Sequence, residues 1–207
     1  MKNKCIVLDF ETTGLSPGAD RAIEVAAVLL ENGEVKDRFQ TLMNPGMRVS
    51  SFIESYTGIS NAMLASAPKN EKAIRELRAF VGKLPLVAHN ASFDKRFLDY
   101  EVARAGCDPI EVMACSLLVS RRLYDQTVNH KLKTLVEYKN IKVVGNFHRA
   151  LADAEMTAHL WVKMKEDIEK KYKVDEATFE FMFRFGKTGK KGLEKFVSGY
   201  FKKPDVE

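Results

Sequence analysis

The stretch Cys5-Ile6-Val7-Leu8-Asp9-Phe10-Glu11-Thr12-Thr13-Gly14 decides how the chain folds. Four apolar residues ending in a polar, glycine-closed turn read as a buried strand opening into a loop. Alternate side chains of a strand share a face, so Asp9 and Glu11 point one way and Phe10 the other. With a rise of about 3.3 Å per residue, their Cα atoms lie about 6.6 Å apart, near enough to converge on a hard cation. Without a cation the two carboxylates repel one another, and burying them unpaired is costly. An all-oxygen donor set selects Mg²⁺ or Mn²⁺ over zinc. Taken alone, so short a pattern is more often an exposed strand end carrying two acids.

Working outward, Ala22 to Leu30 is a second apolar strand, Asn32-Gly33 supplies a tight turn, and Val35 to Met43 is the return strand. Three antiparallel strands therefore open the chain. After an irregular stretch holding Asn44-Pro45-Gly46, Ile74, Leu77, Arg78 and Val81 repeat at helical spacing. Leu84 to His89 reads as another strand, and Ser92 is expected to cap a helix carrying Phe93, Phe97, Tyr100 and Val102. A further strand is expected around Val112 to Cys115. A long helix from about Ala150 to Tyr172 aligns Met156, Leu160, Met164 and Ile168 on one stripe. Strands first, then strands mixed with helices, predict an α/β fold whose sheet has both orientations.

At 207 residues the chain suits one medium domain with a short appendage. Hydrophobic residues at 45% and charged residues at 29% exclude disordered, collagenous and disulfide-scaffold classes. Thirty-three Lys and Arg against 28 Asp and Glu leave a net charge of +5, which permits a polyanionic partner without demonstrating one. Cys5, Cys107 and Cys115 are odd in number and widely spaced, which supports neither a disulfide framework nor a zinc ribbon and points to a reducing compartment. The apolar run after Lys4 ends at Asp9, too short for a signal peptide, and no run approaches the roughly 20 apolar residues of a membrane span. A cytoplasmic protein is expected.

Two more segments carry candidate chemistry. In His89-Asn90-Ala91-Ser92-Phe93-Asp94, Asp94 falls in the first turn of a helix, where the dipole favours an ionised carboxylate. An ordinary helix-start acid has the same look, and Asn90 and Ser92 suit turn and capping roles. In His148-Arg149-Ala150-Leu151-Ala152-Asp153, five helical positions rotate the side chain by about 140°, so His148 and Asp153 can serve one site only if His148 lies in the loop ahead of the helix. A loop histidine with an ordinary pKa of about 6.5 suits general-base work, and also suits a plain surface. His130 and His159 stand in no carboxylate constellation and are given no role.

Together these segments resemble the DEDDh group of 3′ to 5′ exonucleases, the DnaQ-like family that includes the epsilon proofreading subunit of bacterial replicative DNA polymerase, oligoribonuclease and RNase T. The family's D-x-E-T-T-G is present as Asp9 to Gly14, H-N-A-x-F-D as His89 to Asp94, and H-x-A-x-x-D as His148 to Asp153. The match covers about residues 4 to 170. It implies an RNase H-like mixed sheet flanked by helices. It also implies that Asp9, Glu11, Asp94 and Asp153 hold two Mg²⁺ or Mn²⁺ ions and that His148 is the general base. The implied reaction is hydrolysis of the terminal phosphodiester to a nucleoside 5′-monophosphate. No Tyr replaces that histidine, which separates the chain from the DEDDy relatives.

The resemblance further implies that Thr12, Thr13, Gly14 and Leu15 receive the 3′-terminal nucleotide, with Leu15 against the base, and that Asn90 and Phe93 lie on the substrate side. Tyr56-Thr57-Gly58-Ile59 matches a segment that frequently reads H-G-I in the family; here Thr57 stands at the histidine's place, putting in doubt any histidine contact there. Single-stranded or frayed 3′ ends are the implied partners, DNA ahead of RNA, with oligoribonuclease activity or a non-catalytic binding role as rival readings. Four converging acids argue against a mere binding module, because they repel a phosphate backbone unless cations intervene.

Residues 1–172 are read as the exonuclease domain and 173–207 as a basic, aromatic-rich extension. Within it, Gly186 to Gly192 reads as a linker or turn. Leu193, Phe196, Val197, Tyr200 and Phe201 form an amphipathic stripe, with Lys190, Lys191, Lys195 and Lys202 mainly off it. Docking on the nuclease is favoured; a protein-partner site and an added nucleic-acid contact are the alternatives.

Overall fold

The computed structural model describes residues 4–142 and 148–201; Met1–Asn3, 143–147 and 202–207, with Lys202 of the tail's basic face, lie outside the described residues. The opening hairpins are β1 (Lys4–Thr12), β2 (Ala22–Glu31) and β3 (Glu34–Leu42), paired antiparallel. The β2–β3 turn has positive φ at both Asn32 (52°) and Gly33 (82°), as a two-residue hairpin with the right-handed strand twist requires. β4 (Leu86–Ala88) lies parallel to β1, and β5 (Met113–Cys115) parallel to β4, giving the order β3-β2-β1-β4-β5. The expected mixed sheet is thus present.

The helices are α1 (Ser51–Thr57), α2 (Asn61–Ser66), α3 (Asn70–Val81), α4 (Ala91–Arg104), α5 (Ser116–Leu123), α6 (Leu132–Tyr138), α7 (Ala150–Tyr172), α8 (Phe179–Lys187) and α9 (Leu193–Tyr200). Strand alternation sorts them into two layers. Ile6, Leu8 and Phe10 pack with Ile74 and Leu77 of α3 and with Phe97 and Leu98 of α4. Cys5 and Val7 pack on the other face with Leu160 and Met164 of α7 and Phe181 and Phe185 of α8. Asp9 and Glu11 continue the odd-numbered series and therefore face the layer of α7.

β1 carries both acids, as their expected shared face requires, and runs to Thr12, its pairing with β2 shifting only between Glu11 and Thr12. Several other expectations are corrected. The stretch after Asn44 is not irregular throughout: α1 and α2 are capped by Ser50, which accepts from Ile53 N at 3.3 Å, and by Ser60, which accepts from Met63 N at 3.2 Å. Ser92 is not the cap of α4. That position belongs to Asn90, whose left-handed backbone (φ 66°) turns the chain out of β4. Nor is Gly186 in a linker: Gly186 and Lys187 close α8, and a Cβ at Gly186 would lie 3.2 Å from Val119 Cγ2 of α5.

The tail helix docks. Phe181 of α8 meets Phe196 (ring centroids 5.2 Å apart) and Tyr200 (5.0 Å, edge-on) of α9, and Leu193 and Val197 join the α7 layer. Among the described residues, no helix is long and apolar enough to cross a membrane.

Candidate active site

Three elements meet at the C-terminal end of β1. The strand delivers Asp9 and Glu11 toward α7, whose first turn carries Asp153, and carboxylate oxygens of the three lie within 4.8 Å of one another. Asp94, in the first turn of α4, approaches from the opposite layer, and its Oδ1 accepts a hydrogen bond from Phe10 N at 3.3 Å. It therefore touches the main chain between the two strand acids and stands outside the tight trio.

The electrostatic consequence is a set of carboxyls reluctant to ionise. Asp9 is raised well above the ordinary carboxylate range by burial, and then by Asp94, Glu11, Asp153 and Glu24. Burial pushes Glu11 up to about 8, reinforced by Asp153 and Glu24. Burial likewise takes Asp94 to about 7 and Asp153 to about 6, the latter held back by the His148 N–H, which donates to Asp153 Oδ2 at 3.0 Å. The other oxygen, Asp153 Oδ1, is buried without a hydrogen-bond partner. A cluster of hard oxygen donors, mutually repelling, with one buried oxygen unspent, fits a divalent cation of the magnesium type.

His148 sits in the turn ahead of α7 with a left-handed backbone (φ 65°). Its ring packs against Tyr56 of α1, tilted by 33° with centroids 3.9 Å apart, and burial lowers its pKa from the ordinary value. Tyr56 in turn stacks on Phe52 at 5.7 Å. With Leu15, which is 75% exposed, these rings edge a cleft of about 680 Å³ that opens onto the acids.

The other expected residues fall around the same cleft in different states. Thr12 Oγ1 donates to Gly14 O at 2.6 Å, while Thr13 Oγ1 donates to Asp20 Oδ1 at 3.0 Å and accepts from Arg21 N at 3.1 Å. Gly14 is there because of Asp20: a Cβ would come within 2.5 Å of its carboxylate oxygens. Asn90 and Phe93 line the cleft, Phe93 leaning on Phe97 at 5.0 Å. Thr57 also lines it, but its hydroxyl donates to Ile53 O at 2.8 Å and accepts from Ile59 N at 3.1 Å. Its polar capacity is spent on closing α1.

His89 is half-buried, with Nδ1 2.8 Å from Ser116 Oγ and Nε2 2.9 Å from His130 O, and desolvation of its ring brings its pKa down to about 4. It joins the end of β4 to α5 and the loop before α6 as a neutral ring. His130 Nε2 lies 3.1 Å from Tyr124 O, and His159 is exposed on α7.

Sequence reasoning gives no role to Glu24 or Phe52, and quotes Tyr56 and Arg149 only as members of their motifs. Glu24 stands directly across from Glu11 in the β1–β2 register, wholly buried, and is ion-paired with Arg149 at 2.9 Å. The one available signal was a lone acid inside the apolar run Ala22-Ile23-Glu24-Val25-Ala26-Ala27-Val28.

Comparison with known proteins identifies the family. The profile of a family described as Exonuclease matches residues 6–161. The DNA polymerase III PolC-type of Caldanaerobacter subterraneus subsp. tengcongensis is 37% identical over 169 residues, spanning 82% of this chain and 12% of that one. The protein of the same description from Bacillus subtilis is 41% identical over 172 residues, spanning 80% and 12%. The chain thus corresponds to about 12% of the length of these relatives. Among solved structures, Exonuclease X in complex with 5′ overhanging duplex DNA superposes with a TM-score of 0.69 at 24% identity, covering 88% of this chain and 99% of that one. The nuclease domain of 3′hExo, a DEDDh family member bound to rAMP, gives 0.69 at 22% identity, covering 80% and 93%; at such identities both likenesses speak for the fold alone. With the profile spanning most of the chain and the D-x-E, H-N-A-x-F-D and H-x-A-x-x-D residues gathered at one cleft, the chain belongs to the DEDDh, DnaQ-like exonuclease family.

Proposed function

We propose that the chain hydrolyses nucleic acid from the 3′ end, releasing nucleoside 5′-monophosphates from single-stranded or frayed DNA, with two Mg²⁺ or Mn²⁺ ions. The observation that carries this is the trio Asp9, Glu11 and Asp153, drawn within 4.8 Å, with a partnerless buried oxygen on Asp153. Asp9, Glu11 and Asp153 would hold the cations together with Asp94, and the bound ions supply charge neutralisation at the phosphodiester and acidify water. Exonuclease activity is assigned to residues 1–172, with 173–207 as a basic, aromatic-rich extension, and the three unpaired cysteines suit a cytoplasmic setting.

The chain's own residues divide the remaining work. His148, its pKa lowered by burial, is unprotonated at neutral pH and able to accept the proton of the attacking water. Leu15, projecting from the turn that Asp20 holds, offers an apolar face to the terminal base, and Phe93 and Asn90 line the same cleft. Acids this close to a phosphate need cations between them, which makes a reaction without metal unfavourable. DNA is favoured because the relatives at 37% and 41% identity are DNA polymerases by name. An RNA substrate is the second reading, suggested by the neighbour that holds rAMP.

Digestion of a 5′-labelled single strand tests this. A ladder shortened stepwise from the 3′ end, dependent on Mg²⁺ or Mn²⁺ and abolished by chelator, is expected, with DNA cut faster than matched RNA. Equal cleavage in metal-free buffer, or early release of the 5′ label, would refute it.

A further inference from the structure

Glu24 is a carboxylate that the proposed chemistry leaves unused. Its side chain is 1% exposed, yet it accepts four hydrogen bonds: from Arg149 Nε at 3.2 Å and Nη2 at 2.9 Å, from Ala150 N at 3.0 Å, and from Gln40 Nε2 at 2.8 Å. Arg149 is the N-cap of α7, and its own side chain makes no capping bond. The cap of this helix comes instead from β2, 126 residues earlier in the chain, through the Glu24 carboxylate on the Ala150 amide. Arg149 stands between His148 and the first turn that bears Asp153, and Glu24 faces the same side of the sheet as Glu11.

Resting on the functional reading above, we propose that Glu24 and Arg149 form a clamp that positions the start of α7, setting Asp153 against Asp9 and Glu11 and His148 at the mouth of the cleft. Neither clamp residue touches a reacting atom. A buried acid costs folding free energy unless it is fully bonded, and three of the four hydrogen bonds to this one come from the segment that must be held still, the fourth from Gln40 of β3. A simple surface ion pair would be free to swing. Here Arg149 is gripped through two nitrogens, and the helix amide occupies the same carboxylate.

Two single variants separate positioning from electrostatics. Glu24→Gln removes a negative charge beside the acids, and Arg149→Met removes a positive one. If only the local field mattered, Mn²⁺ affinity would fall in the first and rise in the second. The clamp predicts that both variants lose Mn²⁺ affinity and kcat, by about 10- to 100-fold, with KM for a single strand within about threefold of the parent. It also predicts that the double variant is no worse than about twofold below the poorer single, because the two residues act as one unit. Amide hydrogen exchange at Ala150 and Asp153 should quicken in each variant while exchange in α3 and α4 does not change. Affinities moving in opposite directions, kcat within twofold of the parent in both, or unchanged exchange at Ala150 would overturn the clamp. If Arg149→Met does not fold, Glu24→Gln and its exchange rates decide alone. A parent protein that neither binds Mn²⁺ nor degrades DNA defeats the functional reading, and the exchange experiment still judges the clamp.

Discussion

Replacing Glu11 by Gln is expected to abolish activity and, in chelator at alkaline pH, to stabilise the protein. The folded environment raises Glu11 from 4.5 to about 8, through burial first and then the neighbouring Asp153, Glu24 and Asp94 charges. A shift of that size is on the order of 5 kcal/mol of disfavoured ionisation. The buried Gln amide takes back about 1–3 kcal/mol of this, leaving a gain of about 2–4 kcal/mol. For a chain of this length that is a rise in Tm of roughly 5–15 °C. The sign follows from proton counting: between the unfolded and folded pKa values the native state binds more protons than the unfolded chain, so wild-type stability falls as pH rises through that window. Below about pH 4.5 the parent's Glu11 is largely protonated in both states and its penalty is under about 1 kcal/mol. Thermal unfolding followed by circular dichroism in EDTA, at pH 4.5 and pH 8.5, reads the effect directly. Adding Mn²⁺ at pH 8.5 to about 1,000 times Kd should reverse the order, since binding then stabilises the parent by about 4.1 kcal/mol and the variant binds poorly. A variant less stable than the parent in EDTA at pH 8.5, or a gain equal at both pH values, would refute the reasoning.

Other outcomes follow from the same structure. Asp153→Asn should lower kcat by more than about 100-fold, a larger loss than at residues that merely support a metal ligand, with near-native circular dichroism. Gly14→Ala drives a Cβ to within 2.5 Å of the Asp20 carboxylate; the turn must shift, at a cost of about 1–3 kcal/mol. Oligonucleotide KM should rise, and Asp20→Ala in the same chain should recover part of the lost Tm. Phe181→Ala, emptying a fully buried ring site between α9 and the α7 layer, should cost about 3–5 kcal/mol in chemical denaturation. A loss below 1 kcal/mol would mean that the tail packs only loosely.

The sheet and the pairing of Asp9 with Glu11 were legible because they rest on local periodicities, whereas Asp94 and Asp153 joined them only through the family resemblance. Period-two alternation in β1 placed Asp9 and Glu11 together before any partner was known, and the Asn32-Gly33 turn set the first hairpin. The rotation of α7 placed His148 outside the helix. Glu24 stayed hidden because a single acid in an apolar strand signals nothing until its partner 125 residues away is brought to it. Phe52 and Tyr56 lie on a seven-residue helix, under two turns, too short to show a helical period. In α8 the phenylalanines at 179, 181, 183 and 185 alternate along the sequence, whereas the helix buries Phe181 and Phe185 and leaves Phe179 and Phe183 half-exposed. Thr57 was legible as a departure from H-G-I, but that its hydroxyl is consumed within α1 is visible only in three dimensions.

Asp9, Glu11 and Asp153, whose carboxylate oxygens lie within 4.8 Å of one another, are proposed as a divalent-metal centre. Anomalous diffraction from crystals grown in Mn²⁺ tests it most directly: strong peaks are predicted against these carboxylates, with Asp153 Oδ1 as a ligand, and should vanish in Asp153→Asn. A well-folded parent with no anomalous peak at the cluster would contradict the account.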